Sequence, residues 1–202
     1  MMNKPLRAGA RQAAIGWRHI LLMLWVCLTC LGTQASEVAE RLRTDHHVLL
    51  IRHAYAPGVG DPPGYSLERC ETQRVLNEQG RAQARRIGQW LKAQGVERAE
   101  VHTSVWCRCR ETAELLGLGP VSVEPSLASF FDQPGRAAAS NRALQNFIAA
   151  NLRARPTQPL ILVTHHVNIR EFMGRDIGSG DMVLVRVDAQ GRMLDYRLYP
   201  SP

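Results

Sequence analysis

Two short runs constrain this chain more than any other feature. Val48-Leu49-Leu50-Ile51 and Leu160-Ile161-Leu162-Val163 are apolar at every position, where a half-buried strand would alternate apolar with polar. Continuous apolar strands are what a sheet buried on both faces requires, and a parallel sheet covered by helices supplies that burial. The segments around them read in alternation. Asn77 can cap a helix reaching about Gln94, with Ala84, Ile87, Trp90 and Leu91 on one face and Gly95 as its stop. Glu100 to Thr103 reads as a strand, Trp106 to Leu116 as a helix and Val121 to Val123 as a weak strand. Arg136 to about Arg153 gives a long helix with Leu144, Phe147, Ile148 and Leu152 at core spacing. Met182 to Val187 and Met193 to Leu198, joined by the turn Asp188-Ala189-Gln190-Gly191, read as a closing hairpin. The expected fold class is therefore α/β: a three-layer sandwich, its mostly parallel central sheet carrying helices on both faces.

The first 35 residues stand apart from that pattern. Lys4, Arg7, Arg11 and Arg18 form a basic leader without an acid, an apolar run from Ile20 to Leu31 follows, and Thr33-Gln34-Ala35 ends it. Basic, apolar and then small residues is the layout of a secretory signal cleaved after Ala35. The run is shorter than the ~20 apolar residues a spanning helix needs, so no stable membrane anchor is expected after cleavage. The organisation expected is a signal peptide over 1–35 and one domain over 36–202, in the periplasm or secreted. Removing the four leader cations from the 25 Lys and Arg leaves 21 against 18 acids, a net +3. That balance gives no argument for a nucleic-acid partner. Arginine far outnumbers lysine, and a planar guanidinium is the better fork for phosphate oxygens. Cys70, Cys107 and Cys109 follow the leader. In an oxidising compartment one disulfide and one thiol are expected. Cys107 and Cys109 point apart if helical, so Cys70 is expected to bond one of the two. A zinc site lacks support, because neither a second C-x-x-C nor an H-x-x-x-H accompanies them.

In open parallel sheets, ligands bind beyond the carboxyl ends of the strands. Arg52-His53-Ala54 follows the first apolar run, Ser104 follows the second strand with Arg108 one helical turn on, and Thr164-His165-His166 follows the later apolar run. If these strands are neighbours, two imidazoles and two guanidiniums share one rim. Forked guanidiniums bind a phosphoryl group and a neutral imidazole can attack its phosphorus. Nothing in the sequence resembles a carboxylate cluster for magnesium, so no metal or other cofactor is expected.

At these residues the chain resembles the histidine phosphatase, or phosphoglycerate mutase-like, superfamily. "LLIRHAYAPG" is similar to its Arg-His-Gly motif. "TQRVLNEQGRAQARRIGQWL" is similar to its Gly-Arg-x-Gln-Ala block, "VHTSVWCRCRETAELL" to its Ser-x-x-x-Arg-x-x-x-Thr-Ala block, and "LILVTHHVNIR" to its late strand ending in Thr-His. The blocks span residues 48–170 in family order. The resemblance implies that His53 is the phosphoryl acceptor and that Arg52, Arg108 and His165 complete the phosphate pocket. His166 stands where many relatives have Gly and is expected at the rim. Ala54 departs from the motif's usual Gly. Asp132 is the candidate general acid, with Glu124, Glu111 and Asp61 as rivals; Arg74, Asn168 and Ser104 are candidate substrate-binding residues. Arg110 is expected in solvent, and Trp90 and Trp106 in packing. The resemblance implies an exported phosphatase acting on a small phosphorylated substrate. The alternative is a non-catalytic envelope protein that binds a phosphorylated ligand in the same pocket. Natural substrate and oligomeric state have no sequence signal.

Overall fold

The structure, a computed structural model, describes residues 37–44, 46–155 and 157–202. These all belong to one compact unit. The expected signal peptide and the cleavage expected after Ala35 lie outside the described residues. The elements run α1 (Glu37–Leu42), β1 (His47–Arg52), α2 (Glu78–Ala93), β2 (Glu100–Thr103), α3 (Cys107–Leu116), β3 (Val121–Val123), α4 (Ala137–Ala154), β4 (Leu160–Thr164), α5 (His166–Met173), β5 (Met182–Val187) and β6 (Met193–Tyr199).

The sheet order is β3-β2-β4-β1-β5-β6. The two fully apolar runs are its central pair, β1 and β4, which lie parallel with Leu49 opposite Ile161 and Arg52 opposite Thr164. β2 is parallel to β4 and β3 to β2, while β5 and β6 add antiparallel at the other edge. The pleat sorts β1 between two cores. Leu49 and Ile51 pack with α1, α2 and α3 through Leu42, Ile87, Leu91, Ala113 and Leu116. Val48 and Leu50 pack with α4 and α5 through Leu144, Ile148, Ile169 and Phe172. Both faces of each central strand are thus covered, which is why neither run tolerates a polar residue. The sandwich expected from the sequence is the one observed; α1, a single short turn of helix before β1, was not anticipated.

Two local features position the site. Asn77 caps α2, accepting from the Gly80 amide at 2.9 Å. A Cβ at Gly80 would lie 2.0 Å from the carbonyl oxygen of Tyr55, so only glycine lets this helix start press against the backbone just past His53. Cys70 bonds Cys107, the first residue of α3, and Cys109 remains a buried thiol. The bridge spans 37 positions, and closing a loop of that length stabilises by about 4 kcal/mol in the chain-entropy account. Reduction, or Cys70→Ser with Cys107→Ser, is expected to lower the urea midpoint by the equivalent amount, measured by fluorescence with and without reductant.

Candidate active site

Because β1, β2 and β4 are parallel neighbours, their carboxyl ends share one edge. His53 leaves β1, Ser104 leaves β2 and His165 leaves β4; α3 returns from β2 and carries Arg108 in its first turn. Arg52, His53, Arg108 and His165 line a single cavity of about 190 Å³, together with Asp61, Arg74, Asp132 and His166. The four residues on which the reading depends therefore meet.

Hydrogen bonds fix the protonation of both buried imidazoles. His53 Nδ1 lies 2.8 Å from the Ala54 carbonyl, which can only accept, so Nδ1 carries the proton and Nε2 keeps its lone pair. His165 Nδ1 faces an Arg108 amino group at 3.5 Å, which can only donate; its proton is therefore on Nε2, donated to Ser104 Oγ at 2.8 Å. Burial, with Arg108 adding to it, holds both rings well below the usual histidine value of 6.5. Both are neutral at neutral pH. Thr112 pins the segment behind His53: its hydroxyl accepts from the Ala54 amide at 3.0 Å and donates to the Arg108 carbonyl at 2.6 Å. The Ala54 methyl, in place of a motif glycine, is absorbed by a small cluster with Ala56, Leu76 and Ala84.

The guanidiniums are held from behind. Arg52 donates to the Ile177 carbonyl at 2.7 Å. One Arg108 amino group meets both Asp61 oxygens, at 2.8 and 3.1 Å. Asp61 also accepts from the Trp106 indole at 3.0 Å and the Arg74 amide at 2.9 Å. The Asp61 and Arg108 side chains are each 4% exposed. The Nε atoms of Arg52 and Arg108 are buried with no partner, a situation that costs about 1–3 kcal/mol per group unless something accepts from it.

The family model for the histidine phosphatase superfamily (branch 1) matches residues 48–131. Over that stretch the chain is similar to the histidine phosphatase superfamily. No curated protein sequence matches it. Among solved structures, YhfR of Bacillus stearothermophilus is 18% identical with a TM-score of 0.56, over 73% of this chain and 93% of that one. Phosphoserine phosphatase from Entamoeba histolytica in complex with 3-phosphoglyceric acid is 11% identical with a TM-score of 0.54, over 74% and 95%. The protein histidine phosphatase SixA complexed with tungstate is 20% identical with a TM-score of 0.50, over 76% and 94%. These likenesses establish a shared fold.

Not every candidate from the sequence faces the cavity. Ser104 and Asn168 stand behind its wall: Ser104 holds His165, and Asn168 donates to the Ala128 carbonyl at 2.9 Å. Arg74 does line the cavity, yet two of its donors are committed to the Ala56 and Gly60 carbonyls, so it staples the 56–64 loop. Among the rival acids, Glu111 pairs with Arg81 and Glu124 caps Ser126, both away from the lining. Asp61 is at the site, but Arg108, Trp106 and Arg74 all donate to it, so its oxygens are committed as acceptors to the protein. That leaves Asp132, exposed in the lining and accepting from the Tyr65 hydroxyl at 3.3 Å. His166 is at the rim and Arg110 in solvent, as expected. Trp90 packs on Tyr199. Trp106 packs as expected, its ring meeting His165 edge-on at 5.2 Å, and its N–H also helps hold Asp61.

The neutral histidines make stability depend on pH. Unfolded, His53 and His165 take up protons near pH 6.5, whereas the native chain resists doing so until well below. The unfolded state then binds more protons, so this contribution is complete above about pH 6.5 and is lost as pH falls toward the native values. The urea midpoint is expected to decline from pH 7 to pH 5, less steeply in His53→Asn; equal slopes in the two proteins would contradict this.

Proposed function

We propose that this chain is an exported, metal-independent phosphatase that hydrolyses phosphomonoesters through a phosphohistidine on His53. The observation that carries the reading is the His53 tautomer. Its Nδ1 proton is committed to the Ala54 carbonyl, leaving the Nε2 lone pair in a cavity lined by two guanidiniums whose Nε donors lack partners.

In the first step Nε2 forms a bond to phosphorus while the ester P–O bond breaks. The departing oxygen takes a proton from Asp132, and the positive charge on the phosphorylated ring is eased by the Nδ1–H bond to Ala54. In the second step water attacks phosphorus and gives its proton to the Asp132 carboxylate. The N–P bond then breaks, returning the electron pair to Nε2 and releasing inorganic phosphate. Arg52 and Arg108 stabilise the equatorial oxygens, where phosphoryl transfer gathers charge, so no step calls on a divalent ion. Export rests on the leader through Ala35, and the Cys70–Cys107 bridge fits an oxidising compartment.

The test is hydrolysis of p-nitrophenyl phosphate with a chelator present, wild type beside His53→Ala. Turnover by the wild type alone supports the proposal. A wild type inert on this and on a broad phosphate panel would instead favour a binding protein.

A further inference from the structure

The mouth of the cavity is chemically unlike its floor. His53, Arg108 and His165 are 1–3% exposed, whereas Val59 is 88% and Phe131 42% exposed, and all five line the same cavity. Val59 stands on the 56–64 loop and Phe131 on the loop after β3. The two loops, the lips of the cavity, lie close together: the Tyr65 hydroxyl donates to Asp132 at 3.3 Å, and the Gly60 backbone runs beside the Phe131 ring. The acidic group at the mouth is Asp132, which carries the proton of the proposed first step. His166 beside Phe131 is held below the usual histidine range by burial, with Arg52 adding to it.

The cations stand behind these lips, Arg108 buried and Arg52 and Arg74 half-buried. Three guanidiniums, those of Arg52, Arg74 and Arg108, line the cavity with the buried carboxylate of Asp61, and Asp176 and Asp181 also act on Arg52. At most two positive charges are left for a phosphoryl dianion and none for a second anion. The cavity, at about 190 Å³, is smaller than the ~300 Å³ at which pockets for whole small molecules begin. It takes in the phosphoryl group and leaves the alcohol lying across the lips.

We infer that the substrates are phosphomonoesters of uncharged alcohols with an apolar body, alkyl or aryl, and that Val59 and Phe131 select them. The inference rests on the phosphatase reading. An alcohol carrying a carboxylate or a second phosphate would bring its charge to the apolar lips of Val59 and Phe131, and a desolvated charge without a partner discriminates against a ligand.

The experiment compares kcat/KM for n-butyl phosphate and 3-phosphoglycerate, both primary alkyl esters with similar leaving oxygens, in wild type and Val59→Lys. Val59 is outside the catalytic set, and its exposure allows a lysine without disturbing the core. The wild type is expected to favour butyl phosphate by roughly tenfold, the size of one near-surface charge contact. Val59→Lys is expected to narrow that ratio several-fold by raising turnover of 3-phosphoglycerate. p-Nitrophenyl phosphate in the same preparation separates two failures. If it is hydrolysed while the wild type shows no preference for the butyl ester, or Val59→Lys leaves the ratio unchanged, the substrate class is wrong and the phosphatase reading stands. If none of the three esters turns over, both fall.

Discussion

His53→Ala is expected to lose at least four orders of magnitude in kcat, with the fold intact. Removing a covalent nucleophile costs on the order of 10⁴–10⁶ where it has been measured, and no neighbour here can substitute. His165 has its lone-pair nitrogen turned to Arg108 and its other nitrogen donating to Ser104. Cys109 is wholly buried and its thiol is pushed up to about 12, so it holds no thiolate at neutral pH. His166 stands at the rim of the cavity, its ring edge-on to Phe131. Rapid alkaline quench of the wild type with radiolabelled substrate should yield a protein-bound phosphate that is stable in base and lost in acid, the behaviour of a phosphoramidate. His53→Ala should carry none. A variant retaining activity within tenfold of wild type, or a label stable in acid, would remove the imidazole from the covalent step.

The residues of that step were legible because the fold forces their surroundings to be simple. A strand buried on both faces must be apolar throughout, so the polar residue ending it is conspicuous, and β1 and β4 delivered Arg52, His53 and His165 in this way. Arg108 was legible one helical turn past Ser104, the residue that follows β2. What lay behind the cradle was not. Asp61 sits in a Gly- and Pro-rich loop with no periodicity, and its partners, Arg74, Trp106 and Arg108, arrive from distant positions. The available signal was a lone acid in a loop directly after Arg-His. Ser104 and Asn168 show the complementary error. Both follow strands at the correct edge, but the pleat and the first helical turn direct their side chains into the wall rather than the cavity. The choice between Cys107 and Cys109 was also closed to the sequence. Two residues apart on α3, they point in different directions, and only the packing shows Cys109 turned to the sheet core and Cys107 to Cys70.

Arg108→Ala is expected to lower both stability and activity, and the two losses can be separated. The Arg108–Asp61 pair is 96% withdrawn from solvent on each side, from side-chain exposures of 4% and 4%. Breaking a buried pair by removing one partner leaves a charge without its counter-charge and costs about 3–5 kcal/mol. Asp61 would keep the Trp106 and Arg74 donors, which places the expected loss at the lower end of that range. Activity should fall by about 10²–10³, the usual consequence of losing one preorganised donor to transition-state charge. Arg108→Lys should recover little of either, since a single ammonium cannot satisfy both Asp61 oxygens and still fork onto phosphate. Combining Arg108→Met with Asp61→Asn should restore part of the stability, because no unpaired charge remains buried, while leaving activity as low as in Arg108→Ala. Urea denaturation and steady-state kinetics on the four proteins decide the matter. If the double variant regained activity along with stability, Arg108 would be a structural residue and the phosphoryl charge would have to be met elsewhere. If Arg108→Ala cost less than about 1 kcal/mol, the pair would be behaving like an exposed surface contact, and Asp61 would not be what aims the guanidinium at the cavity.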